Sequence, residues 1–126
     1  GIEKQIEAAA AAAFKAFPRL GKLATTIRVQ HSVDHHSLSA MLFTRSGEVH
    51  RAEARELTAI VDRIGAGDAF AAGVLHGQMS DMTDERSLQF GLAAACLKHS
   101  IHGDFNLLGV DDVAACAARE RYDVRR

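Results

Sequence analysis

The sequence predicts an α/β protein with a parallel-type sheet that carries a β-hairpin and is packed by helices. Three observations lead there. Residues 2–17 place Ile2, Ile6, Ala9, Ala10, Ala13, Phe14 and Phe17 near one face at helical spacing, and Pro18 ends the pattern. A mostly apolar strand pattern, Leu23 to Val29, follows after a short loop. A helix, a short loop and an unalternating strand in that order point to an αβ unit on a parallel sheet. Two more strand patterns, Ser37 to Thr44 and Val49 to Leu57, flank Arg45-Ser46-Gly47-Glu48, where Gly47 is free to take positive φ and close a hairpin.

Glu3, Lys4, Glu7 and Lys15 fall mostly off the apolar face of the first helix. Gln30 to His36 is polar and reads as a loop. In the last strand, Arg51, Glu53 and Arg55 alternate with Ala52, Ala54 and Glu56, a half-polar pattern suited to a sheet edge. Ala59 to Val61 leads into Gly65-Ala66-Gly67-Asp68. A helix starting near Gly67 runs to about His76, with Gly77 as its C-terminal cap. Its small residues Ala69, Ala72 and Gly73 are expected to pack closely against the sheet. Thr83 is the expected N-cap of the next helix, with Asp84 and Glu85 in its first turn. That helix runs to about His99 on an apolar stripe of Leu88, Leu92, Ala95, Cys96 and Leu97. Gly109 precedes a last helix, Val110 to about Arg121, with Val113, Ala114 and Ala117 on its buried side. No repeat, low-complexity linker or composition shift divides the chain, so residues 1–126 read as one domain.

The totals narrow the function. Hydrophobic residues make up 48% of the 126, enough for a core of modest size. Fifteen basic and sixteen acidic side chains leave a net charge of −1, which gives no electrostatic basis for binding nucleic acid or an anionic membrane. The basic tail, Arg119 to Arg126, also holds Glu120 and Asp123 and reads as solvated. Cys96 and Cys116 lie in apolar helical runs and read as buried reduced thiols, a disulfide being the lesser alternative. No signal peptide or membrane-spanning run is visible, and the alanine run from Ala8 to Ala13 is too short to be one, so cytoplasm is the default compartment. The first residue is Gly1 rather than Met, which fits a fragment or a processed product. Oligomeric state, including a homo-oligomer, is left open.

The chemistry concentrates in Gly65-Ala66-Gly67-Asp68. Glycines let a backbone turn tightly and approach a ligand, and the helix that follows points unpaired N–H groups at the turn, a seat for an anion. A carboxylate beside that seat suits phosphoryl transfer, where donors hold the phosphate and an acid takes the proton of the attacking hydroxyl. The plainer alternative is a turn with an acid in the first helical turn. The stretch lacks the third glycine of G-x-G-x-x-G and the Gly-Lys-Ser/Thr of a Walker A loop.

The wider run Asp62-Arg63-Ile64-Gly65-Ala66-Gly67-Asp68-Ala69-Phe70-Ala71-Ala72-Gly73 closely resembles the second signature of the ribokinase-like (PfkB) carbohydrate kinases. Arg63 stands where most of that family has threonine, and in this it looks like the subgroup acting on 2-keto-3-deoxygluconate. Leu97-Lys98-His99-Ser100-Ile101-His102-Gly103-Asp104-Phe105-Asn106 resembles the same subgroup. The resemblance covers nearly the whole chain but only the C-terminal part of such a kinase. It implies a ribokinase-like fold and the nucleotide-binding and catalytic part of a larger enzyme, which phosphorylates a sugar or sugar acid with ATP and Mg²⁺.

By that resemblance Asp68 is the general base and contacts the substrate, the Gly65, Ala66 and Gly67 backbone forms the anion hole, and Asp104 meets the sugar acid, a turn aspartate that bonds its own backbone being the alternative. Arg63 is expected to pair with the substrate carboxylate, with a phosphate or only with Asp62. Thr26 and Arg28, near the end of a predicted strand, are expected near the nucleotide phosphates, although a solvent-facing Arg28 serves equally well. Mg²⁺ would be held largely by phosphates and water, with no protein cage. His31, His35 and His36 share one polar loop, but without H-E-x-x-H or paired cysteines no specific metal site is expected. Without the family's sugar pocket and lid, the 126 residues are expected to be inactive alone. The alternative function is a non-catalytic nucleotide-binding or assembly module.

Overall fold

The computed structural model describes residues 1–58, 64–99, 113–114 and 116–117. A first helix, α1 (Ile2–Ala16), leads into three strands, β1 (Lys22–Gln30), β2 (His36–Thr44) and β3 (Val49–Leu57). Two helices follow, α2 (Ala66–Met79) and α3 (Asp84–Lys98). The α/β class and the β2–β3 hairpin agree with the sequence. The parallel pairing does not: among the described residues the sheet has the order β1-β2-β3 and both pairings are antiparallel. Residues 31–35 and 45–48 are too short for a parallel crossover, which takes a dozen or more residues. The run from Leu23 to Val29 imitates a parallel strand because the sheet is covered on both faces.

One face packs Leu23, Ile27, Met41 and Phe43 under Ile6, Ala10 and Phe14 of α1. The other packs Ala24, Leu38, Ala40, Leu42 and Ala52 under Phe70 of α2 and Leu88, Leu92 and Ala95 of α3. Arg45 closes the α1 side by donating to the carbonyls of Phe14, Phe17 and Leu20 at 2.6–2.8 Å, so the helix end needs no glycine.

β3 departs from its alternation. Leu38 pairs with Arg55 but Ala40 with Ala52, so two steps along β2 face three along β3. This bulge reverses the inward and outward phase of the strand. Ala52 and Arg55 are both buried while Ala54 is exposed, the reverse of the expected alternation at Ala54 and Arg55. Buried Arg55 donates to the Sγ and the carbonyl oxygen of Cys116, each at 3.0 Å. Both cysteines are free and half-buried, rather than fully buried.

The two helices meet through glycines. A Cβ on Gly73 would stand 2.7 Å from the Cα of Gly91, and one on Gly77 would stand 2.7 Å from the Cα of Ser87. α2 therefore packs on α3, with Ala69 and Gly73 buried and Ala72 exposed. The expected close packing of Ala72 against the sheet is thus corrected: Phe70, with half-buried Val74, is what α2 brings to the sheet cluster. α3 lies between α2, the sheet and the segment at Val113, and is buried on nearly all sides, which blurs its apolar stripe.

Gly77 does not end α2. It is needed inside the helix by the Ser87 contact, and Ser80 and left-handed Asp81 (φ 61°) make the end instead. Thr83 caps α3 as expected, its hydroxyl accepting from the Arg86 N–H at 3.2 Å. Asp84, in the first turn of α3, accepts from Lys22 of β1 at 2.6 Å and from Gln78 of α2 at 3.0 Å, tying three elements together. Of the last predicted helix, Val113, Ala114, Cys116 and Ala117 are helical; Val113 is buried, Ala117 half-buried and Ala114 exposed, contrary to expectation for Ala114. The rest of it and the basic tail lie outside the described residues. Among those described, no helix is long and apolar enough to cross a membrane.

Two outcomes follow for stability. Gly73→Ala drives a methyl into backbone, so it should destabilise by about 1–3 kcal/mol by overpacking; an unchanged urea midpoint would refute the contact. Hydrogen bonding from Lys22, and then from Gln78, holds the Asp84 carboxyl below its ordinary range, with burial opposing. A depressed carboxylate stabilises above its unfolded pKa, about 3.9, and loses that contribution as pH falls through the folded value. Asp84→Asn should thus be less stable than the parent at pH 7, and the gap should close below about pH 4. Urea midpoints measured for both across that range check the sign, and a gap independent of pH would rule out the linkage.

Candidate active site

Gly65 precedes α2 with φ 82° and ψ −2°, a left-handed backbone that a side chain would strain by about 1–2 kcal/mol. The first intrahelical bond runs from the Ala69 N–H to the Gly65 carbonyl at 2.9 Å. The N–H groups of Ala66, Gly67 and Asp68 precede it, and among the described residues no side chain caps them. Ala66 is buried beneath the turn. Gly67 is exposed, and a Cβ there would meet nothing within 4 Å among the described residues. Ala66, Ala69, Phe70, Gly73 and Gly77 take the buried face, which leaves Asp68 exposed at the first turn. The helix therefore presents uncapped donors and the positive end of its dipole to an anion, with a carboxylate at the rim.

Gly65, Ala66, Gly67 and Asp68 are thus brought together as the sequence leads one to expect. Arg63 and Asp104, the residues expected to meet a sugar acid, lie outside the described residues. Thr26 is half-buried in the middle of β1 opposite Ala40, and its carbonyl accepts from the Thr25 hydroxyl at 3.2 Å.

Arg28 is not a solvent-facing side chain. Its Nη1 donates to Nδ1 of His36 at 2.7 Å and its Nη2 to Nε2 of His99 at 2.6 Å. A guanidinium only donates, so both ring nitrogens must be acceptors. His99 then carries its proton on Nδ1, which donates to the Ala95 carbonyl at 2.6 Å. His99 caps the C-terminal end of α3, where the helix dipole favours a cation such as Arg28. His36 and His99 are 2% and 1% exposed, and the sequence reading missed both. The available signal for His36 was its phase: His36, Leu38, Ala40 and Leu42 fall on one face of a strand. It begins β2 and does not belong to the polar loop.

Residues 5–107 match the family described as pfkB family carbohydrate kinase. The chain is 30% identical over 97 residues to a 5-dehydro-2-deoxygluconokinase of Listeria monocytogenes, covering 76% of this chain and 28% of that protein. A crystal structure of a PfkB family carbohydrate kinase from Listeria grayi superposes with a TM-score of 0.80 at 40% identity, over 86% of this chain and 33% of that one. A 2-dehydro-3-deoxygluconokinase from Thermotoga maritima superposes at 0.78 with 31% identity, over 86% of this chain and 32% of that one. The chain therefore spans about a third or less of the length of these relatives.

The Arg28 bonds are open to measurement. Arg28→Ala should lower stability by about 1.5–3 kcal/mol, because it removes charge-assisted bonds from two buried rings. Arg28→Lys keeps the charge but lacks the fork that reaches both rings, so it should recover only part of the loss. A denaturant midpoint for Arg28→Ala equal to that of the parent would show that these bonds carry no weight.

Proposed function

The chain belongs to the pfkB family of carbohydrate kinases, and from that premise we propose that it is the C-terminal, nucleotide-binding and catalytic part of an ATP-dependent sugar kinase. The observation that carries this is the exposed Asp68 on the uncapped first turn of α2, beside an exposed Gly67 whose Cβ position meets nothing within 4 Å among the described residues. A sugar hydroxyl seated there gives its proton to the Asp68 carboxylate as its oxygen attacks the γ-phosphorus, and ADP leaves. The amides of the Gly65–Gly67 turn hold the charge on the transferring phosphoryl group, where preorganised donors act without reorganising. Mg²⁺ would arrive with the nucleotide, bound by phosphates and water and neutralising their charge.

The substrate we propose is a keto-deoxy sugar acid of the 2-keto-3-deoxygluconate class, converted to its 6-phosphate. The names of the relatives and the motif residues Arg63 and Asp104 support this class. Arg63 and Asp104 would meet the acid, and Thr26 and Arg28 would lie toward the nucleotide. Arg28 would then act through its pinned position between His36 and His99. The 126 residues by themselves would not turn over, because two thirds of a relative's length supplies the remaining contacts, and transfer needs reactants held together with water excluded.

The test uses the full-length kinase with ATP and a panel of sugars and sugar acids. Asp68→Asn keeps the shape and removes the proton acceptor, so kcat should fall by about 10²–10⁴-fold or more. ATP affinity should hold or tighten, since a negative charge near the γ-phosphate is gone. If Asp68 were only an acid in a helical turn, the variant would lose roughly 0.3–1 kcal/mol of stability and keep its kcat. A kcat within a few-fold of the parent sinks the general-base role.

A further inference from the structure

We propose that His31, His35 and Glu56 form a surface site for a borderline divalent transition metal, Zn²⁺ above all, separate from the α2 turn. The site is assembled by strand register. His31 N–H and Ser32 N–H both donate to the His35 carbonyl, at 2.9 and 3.1 Å, and this fold-back sets the two histidine rings side by side, tilted by 34°. Their ring centroids are 4.5 Å apart. Ser37, the second residue of β2, pairs in register with Glu56 of β3, which brings the carboxylate beside the turn.

The three side chains are already linked by hydrogen bonds, His31 through Ser37. His35 Nε2 lies 2.5 Å from Glu56 Oε2, and His31 Nε2 lies 2.7 Å from the Ser37 hydroxyl. Ser37 Oγ in turn stands 3.0 Å from each Glu56 oxygen, donating to one at a time. One ligand atom from each of His31, His35 and Glu56 lies within 4.8 Å of the others. In a four-coordinate zinc site with bonds near 2.0–2.2 Å, neighbouring ligand atoms stand about 3.3 Å apart. The His35–Glu56 pair stands closer than that and the other spacings are within 4.8 Å, and rotation of largely exposed side chains closes the difference.

The donor set suits the ion. Two imidazole nitrogens and a carboxylate oxygen are ligands of Zn²⁺, Cu²⁺ and Ni²⁺, with water completing the coordination. A glutamate carboxylate is ionised at neutral pH and has no proton to lose before it binds. The bound ion replaces the hydrogen bond between His35 and Glu56 and clips the β1–β2 turn to β3. Ser37 is the outer partner that orients Glu56. Mg²⁺ prefers oxygen ligands and keeps its waters, so this site would be distinct from the metal that accompanies a nucleotide. A second cluster, Glu48, His50 and Asp84, is a poorer seat, because the Lys22 ammonium already sits 2.6 Å from Asp84.

The experiment is a calorimetric titration of untagged, metal-stripped, nucleotide-free full-length protein with zinc chloride and, separately, magnesium chloride at pH 7.5. We expect one saturable Zn²⁺ per chain, no Mg²⁺ uptake and a rise in Tm with Zn²⁺. His31→Ala and His35→Ala should each abolish both the binding and the Tm rise. Ser37→Ala should weaken binding by about 10–100-fold, and His50→Ala should leave it unchanged. Absence of saturable Zn²⁺ binding overturns the proposal. So does binding that survives both His31→Ala and His35→Ala, or that disappears only in His50→Ala. All four side chains are at least partly exposed, so circular dichroism should confirm that the variants keep the parent fold.

Discussion

At Gly73 of α2 and Gly91 of α3 the two helices approach backbone to backbone. Much else depends on it. Because neither residue carries a side chain, α2 lies deep enough on α3 for Phe70 to pass beside it into the cluster over the sheet. Phe70 and the buried Ala66 and Ala69 in turn fix the rotation of the first turn of α2. That rotation leaves Asp68 and the amides near Gly67 on the open side. The candidate site is thus held by a buried interface, which is how a rigid element keeps a binding turn in place.

Apolar layers decide which faces meet, but they slide easily along one another. Long cationic side chains from the sheet region supply the stops. Arg28 reaches the C-terminal end of α3 through His99, and Arg45 reaches the C-terminal carbonyls of α1. Lys22 meets Asp84 at the opposite end of α3, and Arg55 meets Cys116. Two of these cations sit where a helix dipole is negative, and Lys22 reaches the positive end only by way of a carboxylate. Each is hydrogen-bonded, as a charge leaving water must be.

Much of the local structure was legible in the residues. Pro18 and the apolar spacing before it delimit α1, Gly47 marks the hairpin, β3 spans the residues expected, and Thr83 caps α3 as its chemistry dictates. What escaped depends on contacts distant in sequence. A strand covered on both faces looks alike whether its neighbours run parallel or antiparallel, so β1 misled. Gly77 carries the mark of a helix end, yet Ser87 keeps it inside the helix. The bulge in β3 leaves no trace in composition, and it turns Arg55 inward against the alternation. At the site, the turn from Gly65 to Asp68 was legible because glycine spacing and helix polarity are local. The pairing of Arg28 with His36 and His99 was not, since one of those bonds spans 71 positions. His31, His35 and Glu56 share no linear motif and meet only through strand register.

The bulge has a consequence beyond the side chains it redirects. Among the described residues β3 has no strand on its outer side. Such an edge is a template on which a second chain can add a strand and begin a fibril or a tangled dimer. The extra residue opposite Ser39 breaks the even spacing of the free N–H and C=O groups, and exposed Arg51 and Glu53 place charge beside the break. An incoming strand would find donors and acceptors out of step and would have to strip water from those charges. The irregularity that turns Arg55 toward Cys116 thereby also keeps this border of the sheet from recruiting its own kind.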